Sequence, residues 1–374
     1  MSSSVERYGD GLVQRVTRDL GVDEFDYSPA ERWLESAELE GVFGRSWSAE
    51  YDASGNRSSI TQGSASVSYE SNALNQYASV DGVTFAYDKN GNLRDDGSLQ
   101  YAYDAFNQLT EVFTDSGPVA RYHYDAFGRL IARETDDFTV DYLYDDGQLV
   151  AVRDASTGEI LRRYVYQPDT VDVPLALIVG GQTYYFELNS LGSVTALVDD
   201  NGALVERVEY DESGTPRVTS PSGSEWPESS LGNELYFQGR HYDAATGLYN
   251  NRARWYSPRL GRFLSSDPVG PVDGVNTYTY ALNDPVNFND PTGLVTGFET
   301  PNDERVLQAI RGFCQGREGS CAAAGALAAT PGALALTGTS ISAAGLTAVG
   351  LALGGRAMKT STLLPCWHLR FLAR

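Results

Sequence analysis

The sequence predicts a mainly β chain, built from antiparallel hairpins stacked into a continuous sheet and followed by a small helical, apolar tail. Three observations predict it. A tyrosine-aspartate phrase recurs at steps of 21, 20 and 22 residues, from Tyr103 to Tyr124, Tyr144 and Tyr166. The body carries no cysteine, because Cys314, Cys321 and Cys366 all lie near the C-terminus. The composition changes abruptly after Leu294.

The repeated phrase carries the fold. Of 23 tyrosines, 21 fall between Tyr51 and Tyr280. The phrase is an aromatic, any residue, Tyr-Asp, a short stretch with Gly or Asn, then a polar residue and Leu. Clear copies are Phe85-Ala86-Tyr87-Asp88 through Leu93, Tyr101-Ala102-Tyr103-Asp104 through Leu109, and Tyr122-His123-Tyr124-Asp125 through Leu130. Two aromatics two residues apart share one face of a strand. The Asp opens a turn by bonding the backbone ahead, and Gly or Asn accepts positive φ where the turn ends. Leu then starts the return strand. One hairpin is marginal alone, so successive hairpins must pair into a sheet.

The leader reads differently. In residues 1–45, Ser28-Pro29-Ala30-Glu31 has the layout of a capping box. A short helix through Trp33, Leu34, Ala37 and Leu39 is expected after it. Repeats are expected over 46–236, with a long loop at 211–235 rich in Ser, Pro and Gly. Met1 through Asp26 lacks an apolar core of signal-peptide length, so this segment encodes no export by the general route.

Charge excludes one class of function. The chain has 28 basic and 50 acidic residues, a net charge of −22. A body this acidic lacks the basic footprint that nucleic-acid binding requires. Arg252, Arg254, Arg259 and Arg262 cluster, but internal ion pairs explain them better than a nucleic acid does. No constellation calls for a cofactor. The three cysteines and His368 include no close Cys pair, so no metal site is expected.

From Phe237 to Leu294 the text becomes specific. It runs through Gly239-Arg240-His241-Tyr242-Asp243, Asn251-Arg252-Ala253-Arg254-Trp255-Tyr256, Leu260-Gly261-Arg262-Phe263 and Asp267-Pro268-Val269-Gly270. It ends on Asp290-Pro291-Thr292-Gly293-Leu294. This stretch resembles the Rhs-repeat-associated core, and the Tyr-Asp repeats resemble Rhs/YD-repeat proteins, toxin-complex C subunits and teneurins. The resemblance implies a spiralling antiparallel YD shell, a C-terminal plug at 237–294, and a variable passenger at 295–374 enclosed by the shell. It also implies that the plug cuts the chain between Leu294 and Val295. The segment Val269 to Gly274 departs from the family's apolar phrase, as does Ser266 from its usual Pro.

The chemistry follows from residue types. Asp267 and Asp290 each open an Asp-Pro-x-Gly phrase. If the fold joins them, like charges a few ångströms apart cannot both ionise, which gives a general acid beside a general base. The base would activate water against the Leu294 carbonyl, and the acid would protonate the leaving nitrogen of Val295. Asp290 is close enough in sequence for a local turn to place the bond. The resemblance makes Asp267 and Asp290 the catalytic pair and sets Arg254 beside them. Asp-Pro-x-Gly is also an ordinary turn, with Asp bonding the backbone and Gly at positive φ.

The tail carries four acids and seven bases over residues 295–374, and 322–355 holds no charge. The latter exceeds a bilayer span, and its small residues allow close helix approach, which makes it a transmembrane candidate. Three readings fit: a membrane-inserting passenger, a truncated or decayed toxin (or a non-native frame), and a soluble helical hairpin inside the shell.

The leading functional expectation is therefore the C-terminal part of a polymorphic toxin that cleaves itself once to free its passenger. Its expected partners are its own tail, upstream repeats, a delivery system and an immunity protein. It would be secreted, delivered or held at a cell surface. The alternative is a non-enzymatic YD-repeat adhesion or structural protein, or a toxin remnant.

Overall fold

The computed structural model describes residues 4–297, apart from 19–20, 42, 146, 169 and 171. Strands pair antiparallel in strict sequence order. Nine run from Ser4–Arg7 to Val83–Thr84, and fifteen from Ala86–Tyr87 to Glu225–Trp226. Four more, from His241–Asp243 to Arg262–Phe263, form a separate small sheet. This is the expected antiparallel hairpin array, except that it is broken between Thr84 and Ala86 into two sheets instead of running as one continuous sheet.

Each repeat is closed by its aspartate. Asp104 Oδ1 accepts the amides of Phe106 (2.8 Å) and Gln108 (2.9 Å). Asp125 does the same for Phe127 (2.8 Å) and Arg129 (3.0 Å), and Asp88 for Asn90 and Asn92 (both 2.9 Å). Gly128 takes the positive φ (76°) that the turn demands; in the Asp104 turn Asn107 takes it (63°). Just before the Tyr of each phrase the register slips, at Ala102/Tyr103, His123/Tyr124, Leu143/Tyr144 and Val165/Tyr166. A bulge bends its strand and increases the twist, so a bulge in every unit coils the array. The slip also leaves Tyr124 half-buried where Tyr122 is fully buried.

The slipped tyrosines stitch one unit to the last. Tyr124 Oη donates to the Leu109 carbonyl (2.7 Å), Tyr144 to Leu130 (2.8 Å), and Tyr166 to Leu149 (2.9 Å). In each case the acceptor is the Leu that ends the preceding phrase.

The first sheet touches the late strands of the second and the plug. Arg45 reaches Glu212 (3.1 Å), Arg57 donates to the Ser213 hydroxyl (3.0 Å), and the Val13 amide donates to Asn287 (2.8 Å). Residues 237–296 fill the inner face. Tyr122 and Arg133 both hold Asp243, Trp255 donates to the Tyr124 hydroxyl, and the Leu93 amide donates to the Leu264 carbonyl. Tyr256 and Tyr280 stack with ring centroids 3.9 Å apart. This is the plug.

Two local expectations fail. Leu34–Leu39 is a strand, not a helix, and it pairs with strands on both sides. Ser28 accepts the amide of Trp33 (3.0 Å), so it closes a turn rather than capping a helix. Arg32 sits at φ 62°, which ends any right-handed helix there. The leader is thus part of the nine-stranded sheet. The loop at 211–235 also contains two short strands, Pro216–Thr219 and Glu225–Trp226, because Val218 finds a ladder partner in Val208.

Among the described residues no helix is long and apolar enough to cross a membrane. The uncharged stretch 322–355 and the three cysteines lie outside the described residues.

Candidate active site

Both Asp-Pro-x-Gly phrases fold as turns. Asp267 Oδ1 accepts the Val269 amide (2.8 Å) and its carbonyl accepts the Gly270 amide, with Gly270 at φ 81°. In the second phrase the Asp290 carbonyl accepts the Gly293 amide, with Gly293 at φ 68°. The two turns face one arginine.

Arg254 lies in the strand Arg254–Ser257 and is 3% exposed. Its Nη2 stands 2.9 Å from Asp267 Oδ2 and 3.3 Å from Asp290 Oδ2. One nitrogen thus bridges the two carboxylates. The guanidinium is fixed on its other sides as well. Nε donates to the Gly293 carbonyl (2.6 Å), Nη1 donates to the Thr277 carbonyl (2.9 Å), and the Phe263 ring lies 3.6 Å beneath. A buried arginine held this way presents a fixed fork.

Burial pushes the Asp267 carboxyl up to about 7, outweighing the adjacent Arg254, while Asp290 and Asp273 push in the same direction. Asp290 has a different task. Its Oδ1 accepts the amides of Leu294 (3.1 Å) and Val295 (3.3 Å) and the hydroxyl of Thr292 (3.1 Å). A carboxylate oxygen therefore touches the nitrogen of the Leu294–Val295 bond. Leu294 and Val295 are both buried, 4% and 3% exposed.

The sequence reading named Asp267, Asp290, Arg254, Leu294 and Val295, and the fold brings all five together. It missed three others. Asn251 is fully buried and donates to the Asp290 carbonyl (2.8 Å). Thr292 bonds Asp290 from within the same phrase. Asp273 accepts the Thr296 amide. Thr292 was legible as a hydroxyl inside the turn, whereas Asn251 and Asp273 had no local signal. The arginine cluster does serve internal contacts. Arg252 pairs with Asp172 (2.8 Å), Arg259 pairs with Asp96, and Arg262 lies 3.8 Å over Tyr77.

A plug seated on a ribbon of tyrosine hairpins calls for comparison with known shells, and the sequence model of the Teneurin YD-shell family matches residues 24–289. This chain belongs to that family. The YD shell is 34% identical over 255 residues to the tRNA nuclease WapA of Bacillus subtilis (strain 168), a match covering 65% of this chain and 11% of WapA. It is 28% identical over 325 residues to the double-stranded DNA deaminase toxin A of Burkholderia cenocepacia (strain H111), covering 77% of this chain and 22% of that protein. It is 29% identical over 273 residues to the toxin protein Tse5 of Pseudomonas aeruginosa, covering 60% and 20%. A solved complex, TcdB2-TccC3-Cdc42, superposes with a TM-score of 0.42 at 18% identity, over 82% of this chain and 20% of that one. The chain spans between 11% and 22% of the length of these curated relatives.

Proposed function

We propose that this YD shell is the C-terminal part of a polymorphic toxin whose plug cuts its own chain once, between Leu294 and Val295, and so separates residues 295–374 as a passenger. The observation that carries the reading is the contact of Asp290 Oδ1 with the Val295 nitrogen while Arg254 ties Asp290 to Asp267.

Burial favours the protonated form of Asp267, which makes it the general acid and Asp290 the general base. Asp290 takes a proton from water as the water oxygen bonds to the Leu294 carbonyl carbon. Asp267 gives its proton to the Val295 nitrogen as the carbon–nitrogen bond breaks. The products are a Leu294 carboxyl and a Val295 amine. Arg254 holds both acids in register and limits their mutual repulsion. No metal or cofactor enters the scheme.

The toxin names among the relatives support a delivered passenger, with a delivery system and an immunity protein as its partners. The uncharged stretch 322–355 supports a membrane-directed one. The test is intact mass after expression of the full chain. The expected result is a fragment beginning at Val295, absent in Asp267→Asn and Asp290→Asn. A wild-type chain that stays whole favours a non-enzymatic shell instead.

A further inference from the structure

The loop between the two Asp-Pro turns is inverted with respect to polarity. Over Pro271–Val275, both valines face solvent, with Val272 46% and Val275 74% exposed. Asp273 alone in that run is turned in from solvent. Exposing two valines while half-burying a carboxylate is unfavourable unless the carboxylate gains a partner. It has one, because Asp273 Oδ2 accepts the amide of Thr296, which is itself 9% exposed.

That contact completes a row. Four consecutive amides follow the second turn. Leu294 and Val295 donate to Asp290 (3.1 and 3.3 Å), Thr296 donates to Asp273, and Gly297 donates to the Asn289 carbonyl (2.7 Å). Upstream of the Leu294–Val295 bond the backbone is held by Arg254 on the Gly293 carbonyl. Beyond the Val295 nitrogen, which Asp290 holds, the next backbone amide is held by the side chain of Asp273.

We propose that Asp273 is a positioning residue for chain cleavage: by holding the Thr296 amide it fixes the leaving side of the Leu294–Val295 bond against Asp290. The role rests on the self-cleavage reading above. Asp273 does not touch the reacting atoms. Without it the Thr296 amide loses its acceptor, and the backbone beyond Val295 can turn away from Asp290. A misplacement of about 1 Å costs up to about a hundredfold in rate. Asp273 also adds a negative charge that helps to push Asp267 upward. The charged groups around Asp267 are then Arg254, Asp290 and Asp273.

The test follows cleavage in time after cell-free synthesis of the full chain, for wild type, Asp273→Ala, Asp273→Asn and Asp290→Asn, across pH. Asp273→Ala is expected to slow cleavage by about 10- to 100-fold. Asp273→Asn keeps an oxygen for the Thr296 amide and is expected to cut close to the wild-type rate at its optimum. Its pH–rate profile should move to lower pH, because one charge raising Asp267 is gone. Two results overturn the role while leaving self-cleavage intact, given that Asp290→Asn is blocked. In one, both Asp273 variants cut like wild type. In the other, both are equally slow with an unmoved pH profile, which marks Asp273 as structural only. A wild type that stays whole, or an Asp290→Asn chain that cuts as fast, overturns the cleavage reading and the role with it.

Discussion

The clasp between Arg133 and Asp243 should decide whether the plug stays seated. Arg133 belongs to the strand Leu130–Glu134 of the wall, and Asp243 to the first strand of the plug. Their contact is bidentate, at 2.7 and 2.8 Å, with side chains 9% and 1% exposed. The Tyr122 hydroxyl adds a third bond at 2.6 Å. Removing one partner leaves a buried charge unpaired, a loss of about 3–5 kcal/mol. Removing both with apolar residues of similar volume avoids that penalty and should cost far less. Asp243→Leu alone is therefore expected to lower the unfolding free energy by about 3–5 kcal/mol, and Arg133→Met/Asp243→Leu by clearly less. Urea unfolding followed by tyrosine and tryptophan fluorescence reads this, with every variant made in an Asp290→Asn background so that the chain stays whole. Additive single and double losses, or an Asp243→Leu cost below about 1 kcal/mol, would refute the idea that a desolvated ion pair seats the plug.

Three further outcomes are expected. Tyr144→Phe removes the donor to the Leu130 carbonyl and should cost about 1–2 kcal/mol in urea, whereas Tyr185→Phe, at a residue 43% exposed, should stay within about 0.5 kcal/mol. Burial pushes both Asp267 and Asp284 up to about 7, so folding favours their protonated forms. That stability is fully present below about pH 4 and is lost as pH rises through about 7. The urea midpoint should accordingly fall between pH 5 and pH 8, and Asp284→Asn should narrow the fall. Gly293→Ala should abolish the Val295 fragment in mass spectra, because at φ 68° its Cβ would lie 2.5 Å from the Asn251 carbonyl oxygen and 2.9 Å from the Arg254 amide nitrogen, both backbone atoms that cannot yield.

The hairpin unit was legible because its signals are local. The Asp of each phrase bonds amides two and four residues ahead, and the glycine or asparagine that follows takes the positive φ. The tyrosine hydroxyls were not legible. Tyr144 meets Leu130 across the preceding strand at a position where the register slips against the following one, and both are properties of paired strands. The error at Ser28 has the same root. Ser-Pro-Ala-Glu can start a helix locally, but strands on both sides supply ladder partners for Leu34–Leu39, and pairing overrode propensity. Asp267, Asp290 and Arg254 could be named because their phrases are distinctive. Asp273 could not, because its partner amide lies 23 residues away across a fold that sequence spacing does not reveal.

Because every strand within each of the two wall sheets bonds to the strand made just before it, the order of synthesis can also be the order of assembly. Within each sheet a nascent chain adds one hairpin at a time to an edge already in place, and the ladder itself needs no distant partner. The arginine and the two acids that it bridges are translated after the last hairpin of the wall. Those groups acquire their geometry only once the wall they rest on exists, so the completion of the plug is written into the direction of translation.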